Sequence, residues 1–355
     1  MKRKAVAICL MFILIMSLFG GCSKEETFLT IDGKSISKGL FAYYLDKVLS
    51  TPEQYGIEPS DSKAATECAV ECCKRYVASE KLMKEKGIVL STGNKQAAAT
   101  EVETLWSLYS VYYGRAGVTK PDLTEAITHE YRLRQIVDYY YGPEGLEPID
   151  EMELKETFVD LYVGFRGIAV PLTKTNSLGE TVPLTDAEQE ALLNLLRGYR
   201  NEINEGTKTI DEVNVEYNNS LDIIVTESLE INVVKIGSPM YTQEFYDTML
   251  EISHTKAGII ICPNTMYLVQ REKIATTAED EFYVYRAGLI EELKIDEIRE
   301  QVNTYAVDLA ADLNKAAAEE IYESLYKNYE KKASAKAKTS DEAEITEETE
   351  KGNEF

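Results

Sequence analysis

The spacing of apolar positions changes several times along this chain and marks out its elements. Phe28-Leu29-Thr30-Ile31 and Lys34-Ser35-Ile36 read as two short strands around Asp32-Gly33. An Asp-Gly pair supplies the positive φ values of a type I′ turn. Ser37 is placed to cap a helix, and Leu40, Phe41, Tyr44, Leu45 and Val48 recur at helical spacing behind it. Pro52, Gly56 and Pro59 end that helix. A second helix is expected from about Ser62 to Lys86, stopped by Gly87. A third covers roughly Asn94 to Tyr113, with Val102, Leu105, Trp106, Leu108 and Tyr109 on its apolar side. A fourth follows Thr119 and Pro121 to about Tyr141, and a fifth runs from Asp150 to about Tyr162.

The period then shortens. Val163 to Leu172 alternates like a strand. Helices return from Asp186 to about Asn204 and from Ile210 to Tyr217. Leu221 to Ile236 is β-prone, and Phe245 to Ile252 is helical. Ile259 to Cys262 and Met266 to Val269 form a hairpin about Pro263-Asn264. From Asp280 helical spacing resumes, and Ile298, Val302, Tyr305, Leu309, Leu313, Ile321 and Leu325 continue it. Beyond about Lys331 the chain is mostly Lys, Ala, Ser, Thr and Glu, without an aromatic residue until Phe355. Such a stretch cannot bury enough surface to offset its ordering entropy, so residues 331–355 are expected to be a disordered tail.

Composition narrows the function. The 355 residues suit two modest domains. The net charge of −23 excludes nucleic acid as a partner, because phosphate binding needs clustered Lys and Arg. At the N-terminus, Lys2, Arg3 and Lys4 precede an apolar run from Ala5 to Leu18. That run is shorter than the roughly 20 residues a membrane span requires. Gly20 and Gly21 then lead into Cys22. The order is that of a secretory signal occupying residues 1–21. Leu18-Phe19-Gly20-Gly21-Cys22 resembles the lipobox of bacterial lipoproteins, with Phe19 where Leu is usual. That resemblance implies diacylglycerol on the Cys22 thiol and a second acyl chain on the new N-terminus; two chains anchor stably where one is marginal. The expected location is the extracytoplasmic face of the cell membrane.

Candidate chemistry is sparse. Cys68 and Cys72 lie one helical turn apart, but the histidines are limited to His129 and His254, and a zinc site wants four ligands. No metal or other cofactor is expected, and Cys68 and Cys72 read as small apolar residues on a buried helix face. His129 falls on a helix, in a solvated or helix-pairing role. No Gly-x-Ser-x-Gly or phosphate-cradling loop is present. Tyrosine is abundant, at 23. Tyr43-Tyr44, Tyr112-Tyr113 and Tyr139-Tyr140-Tyr141 sit on helices, where consecutive residues cannot all face inward, so some rings are expected to be exposed, either to contact unfolded chains or merely to rim the core.

The order of parts resembles the SurA/PrsA-type extracytoplasmic foldases: a lipobox, the hairpin Thr30-Ile31-Asp32-Gly33-Lys34-Ser35-Ile36-Ser37, and then a helical half. The resemblance implies an α+β fold. In it a helical chaperone domain (residues 22–161 and 277–330) is interrupted by a parvulin-type prolyl isomerase domain (162–276). Phe165-Arg166-Gly167-Ile168-Ala169-Val170 is similar to the first parvulin strand, with Gly167 where that family has a histidine. Met240 to Phe245 is similar to the Met…Phe segment lining the proline pocket, with one residue too many. Met266-Tyr267-Leu268-Val269 is similar to the last strand, and the second histidine position holds Tyr267, or Leu268 without a gap. The Gly-Asp-Leu-Gly loop of the family is absent. Gly167, Met240, Phe245 and Tyr267 are therefore expected to outline a degenerate pocket with no catalytic residue. The implied function is a lipid-anchored chaperone that binds unfolded exported polypeptides, with isomerase activity weak or absent. An active isomerase with an atypical pocket and an adaptor for one envelope partner are the alternatives.

Overall fold

The computed structural model describes residues 28–225 and 228–331. The expected signal segment, Cys22 and the tail after Lys331 lie outside the described residues. The elements in chain order are β1 (Leu29–Ile31), β2 (Lys34–Ile36), α1 (Lys38–Ser50), α2 (Pro52–Tyr55), α3 (Ser62–Lys86), α4 (Thr92–Arg115), α5 (Lys120–Tyr141) and α6 (Glu151–Leu161). Then come β3 (Tyr162–Pro171), β4 (Thr173–Thr175), β5 (Thr181–Pro183), α7 (Asp186–Glu205), α8 (Ile210–Asn219), β6 (Asn232–Lys235) and α9 (Gln243–Glu251). β7 (Ala257–Cys262), β8 (Thr265–Glu272), α10 (Ile274–Thr277), α11 (Glu279–Val307), β9 (Ala311–Leu313) and a last helix, α12, over residues 315–331, complete the described chain. The fold is mixed α+β, with more helix than sheet. No helix among the described residues is long and apolar enough to cross a membrane.

The described residues form two compact units, one within residues 140–293 and one that joins residues 28–139 with residues 294–331. In the unit made from the two ends, the N-terminal hairpin turns at Asp32 (φ +46°) and Gly33 (φ +81°), both left-handed as a type I′ turn requires. The Ser37 hydroxyl accepts from Leu40 N at 3.0 Å and starts α1. Leu40, Phe41, Tyr44, Leu45 and Val48 are buried, where α1 packs on α3. Each large apolar side chain so buried contributes about 1.5–3 kcal/mol. Asp61 caps α3 at its start and left-handed Gly87 at its end. The C-terminal segment returns to these helices: Tyr322 Oη donates to Pro59 O at 2.8 Å, and Ser62 Oγ donates to Glu319 at 3.0 Å.

Two expectations fail in instructive ways. The helical spacing through Leu309 and Leu313 does not make one continuous helix. α11 stops at Val307, and Ala311–Leu313 pairs antiparallel with β1 as a third strand. The exposed edge of β1 offers backbone donors and acceptors that outweigh a local periodicity. Among the described residues of the β-prone stretch Leu221 to Ile236, only β6 forms a strand, and it pairs with the first residues of β3. Ile224 is 86% exposed and lies outside any strand, and β-propensity stabilises little without cross-strand neighbours. The β4–β5 hairpin, turning at left-handed Gly179, was not anticipated.

The other unit is built on an antiparallel sheet of order β6-β3-β8-β7. Alternation along the strands gives it two buried faces. Ile168, Val170, Met266 and Leu268 pack with Leu196, Tyr199 and Ile203 of α7 and Val213 of α8. Val163, Phe165, Ile260 and Val269 pack with Phe245, Tyr246 and Met249 of α9. Both α7 and α8 begin with a full capping box, Thr185 with Glu188 and Thr209 with Glu212.

Candidate functional site

The second face of this sheet carries three of the four residues singled out from the sequence. Gly167 on β3 pairs with Val269, and its neighbour Ala169 pairs with Tyr267, so Gly167 and Tyr267 are diagonal neighbours on one face. A Cβ at Gly167 would lie 3.0 Å from Val269 Cγ1 and 3.4 Å from Phe165 Cδ2. Phe245 is fully buried on the same face, its ring 5.3 Å from that of Tyr267 and nearly perpendicular to it. Met240 stands apart, 70% exposed before the start of α9.

Two aromatic residues complete the face that sequence reasoning did not single out as site residues. Tyr241 stacks on Phe245 at 4.1 Å and 14°, and approaches Tyr267 at 6.0 Å. Phe165 meets Phe245 edge-on at 5.4 Å. The signal for Tyr241 was its place just before the Thr242 cap, from where an apolar side chain can fold back on the first turn of α9. Thr242 caps this helix, and its hydroxyl lies 3.9 Å from Cys262 Sγ. Burial raises the Tyr241 phenol above its ordinary pKa, so its hydroxyl stays protonated at neutral pH. The arrangement is an aromatic wall with hydroxyl and thiol edges. It offers apolar and quadrupolar contact to a proline ring or another apolar side chain. It brings no imidazole to the face: His254 lies in the turn after α9, and His129 belongs to α5 in the other unit.

The helical unit carries a different surface. α4 buries only Ala98 and Val102. Leu108 and Val111 are 67% and 68% exposed, with Tyr109 exposed beside them. The tyrosine clusters rim the core and do not stand exposed. Tyr44 and Tyr141 are buried, and Tyr43, Tyr112, Tyr113, Tyr139 and Tyr140 are half-buried. Rings pack on one another, Trp106 on Tyr113 and Tyr43 on Tyr44, and Tyr112 donates to Asp46 at 2.7 Å, which draws them out of solvent. The exposed apolar surface is therefore aliphatic, together with Tyr109.

His129 is buried rather than solvated, and pairs helices. Ser79 Oγ donates to Tyr76 O at 2.9 Å and lies 2.9 Å from His129 Nδ1, which makes Nδ1 the protonated nitrogen. Desolvation, reinforced by Arg132, Lys47, Arg75 and Arg299, holds the imidazole neutral, its pKa lowered to about 3. Cys72 and Cys73 are buried and Cys68 is half-buried; all three, with Cys262, are free thiols. Cys72 does not simply pack as an apolar residue, since Arg75 Nη2 donates to its sulfur at 2.9 Å.

No family model matches the chain, and no curated protein does. Among solved structures, it is similar to the foldase protein PrsA from Streptococcus pneumoniae, at 12% identity over 84% of this chain and 92% of that one, with a TM-score of 0.34. It is similar to the PrsA foldase from Lactococcus lactis, at 12% identity over 86% and 99% of the two chains, with a TM-score of 0.36. It is also similar to PrsA from Bacillus subtilis, at 12% identity over 73% and 83%, with a TM-score of 0.27.

Proposed function

We propose that this protein is an extracytoplasmic chaperone, held at the outer face of a membrane by lipid on Cys22, that binds unfolded exported polypeptides through its helical unit. The observation that carries this reading is the apolar face of α4. A 24-residue helix that buries two side chains and exposes Leu108, Tyr109 and Val111 has surface to offer a partner. Contacts of that kind are non-directional and add about 25 cal/mol per Å² of apolar area removed from water, so they tolerate many client sequences. The net charge of −23 keeps such complexes soluble. In this reading the sheet unit is a parvulin-type domain. Its aromatic wall supplies a binding surface, and its isomerase activity is weak or absent because glycine and tyrosine stand at the positions aligned with the family's histidines.

The test is aggregation of an unfolded substrate at equimolar protein. The wild type should suppress it, and L108S/V111S should need several-fold more protein for the same effect while melting at the same temperature. A wild type that does not suppress aggregation sinks the reading. Anchoring is tested separately by labelled fatty acid, which should enter the wild type and not Cys22→Ser.

A further inference from the structure

The helical unit contains a cleft of about 290 Å³ that neither the α4 surface nor the aromatic face uses. Its character is unlike that of the protein as a whole. In a chain of net charge −23, three cations, Lys47, Arg75 and Arg299, line it together with a single carboxylate, Glu130. Lys47 and Glu130 stand 3.6 Å apart and offset each other. Arg75 makes no ion pair among the described residues. Its guanidinium donates to Cys72 Sγ at 2.9 Å and reaches Asn303 Oδ1 only at 3.5 Å. Arg299 pairs with Asp296, a residue outside the lining whose own side chain is almost fully exposed.

A second observation is independent of charge. Tyr44 lines the same cleft, is 4% exposed, and its hydroxyl is buried without a hydrogen-bond partner. A buried hydroxyl left unpaired costs about 1–3 kcal/mol, which an acceptor placed in the cleft would recover. The field agrees with this geometry: Lys47, Arg75 and Arg299 all act on neighbouring His129 to oppose its protonation. Leu133 and Val302 add an apolar wall.

We infer that this cleft binds a small organic carboxylate of one- to two-residue size. Its oxygens would accept from Arg75, Arg299 and the Tyr44 hydroxyl, and its apolar body would lie against Leu133 and Val302. Guanidinium–carboxylate pairing supplies the affinity, being roughly twice as strong as a neutral hydrogen bond. The carboxylate comes from a free acid or from the end of a polypeptide chain, and the site reads the same group in both. The inference stands whether or not α4 binds clients.

Calorimetric titration of the full-length protein decides it, with N-acetyl-phenylalanine, N-acetyl-phenylalanine amide, inorganic phosphate and a decapeptide ending in phenylalanine as probes. N-acetyl-phenylalanine should saturate one site and bind at least tenfold tighter than its amide or phosphate. Arg75→Gln and Arg299→Gln should each weaken it about tenfold. Tyr44→Phe, which removes only the hydroxyl, should weaken it several-fold without lowering the melting temperature. Tighter binding of the decapeptide than of the free acid assigns the site to chain ends; the reverse assigns it to free acids. Should Arg75→Gln fail to fold, Arg299→Gln decides alone. No saturable binding by the wild type, equal binding of the amide, phosphate binding as tightly, or an Arg299→Gln protein with wild-type affinity overturns the inference.

Discussion

Gly39 sits in the first turn of α1 with the Asp122 carboxylate against its backbone; a Cβ there would lie 2.0 Å from Asp122 Oδ2. That carboxylate is not free to withdraw. It accepts from the Ser37 hydroxyl, from Thr119 N at 2.9 Å and from the Thr119 hydroxyl, and so joins the starts of two helices. Gly39→Ala should therefore cost about 1–3 kcal/mol, as overpacking does. Gly198→Ala, in the open interior of α7 with nothing within 4 Å, should instead gain about 0.5–1 kcal/mol. Urea unfolding of the pair checks both signs. His129 makes a second prediction. Its folded pKa, about 3, lies below the ordinary 6.5, so the unfolded chain binds the proton more readily between those values. The stability this group permits is complete above pH 6.5 and is lost toward pH 3, at about 1.4 kcal/mol per pH unit. His129→Asn, which can keep a donor near Ser79, should flatten that part of the stability-versus-pH curve. An unchanged slope would contradict the buried neutral imidazole. At this scale the sequence was least informative. It placed His129 on a helix but could not tell a buried helix pair from a solvated one, since that depends on Ser79, 50 residues away.

Helices bounded by their own chemistry were legible. Asp61 and Gly87 delimit α3, and the expected span from Ser62 to Lys86 is the observed one. The α7 capping box and left-handed Gly206 do the same for Asp186–Glu205. Elements whose state depends on a distant partner were not. β9 is read as helix from Leu309 and Leu313 because its competing interaction, the edge of β1, lies about 280 residues earlier in the chain. The register places Thr30 opposite Asp312, flanked by bonds from Asn314 N to Phe28 O and from Asp32 N to Ala310 O, both 2.9 Å. That alternation makes Thr30 and Asp312 a hydrogen-bonded pair. Asp312→Pro should remove its donor and cost about 1–3 kcal/mol. Amide exchange should show lost protection at Thr30 and Asp32, with α7 unaffected; full protection at both would refute the pairing.

Across the whole molecule, charge shapes which clients the proposed chaperone holds. At −23, it should bind a cationic unfolded polypeptide more tightly than an anionic one of equal hydrophobicity. The difference should shrink from 50 mM to 500 mM salt, as the screening length falls to a few Å. Equal affinity for both clients at low salt would mean that the contact surface is shielded from the net charge. In a protease-coupled assay on a proline peptide, the rate should stay within a few-fold of the uncatalysed one. A larger acceleration that disappears in Phe245→Ala would show instead that the aromatic wall alone supports catalysis.

By itself the sequence determined the α+β class, most helix limits, the hairpin at Asp32-Gly33 and the rarity of chemistry-bearing residues. All of these rest on interactions within a few residues of one another, such as caps, turns and periodicity. Tertiary structure alone decided that Leu309 to Leu313 would supply a strand, that Tyr241 and Phe165 would join Phe245, and that the tyrosine pairs would be drawn inward while α4 kept Leu108 and Val111 outside. It also decided that Lys47, Arg75, Arg299 and an unpaired Tyr44 hydroxyl would meet in one cleft. Those outcomes depend on which surfaces meet across long separations, and local residue order carries almost no energy that distinguishes one such meeting from another.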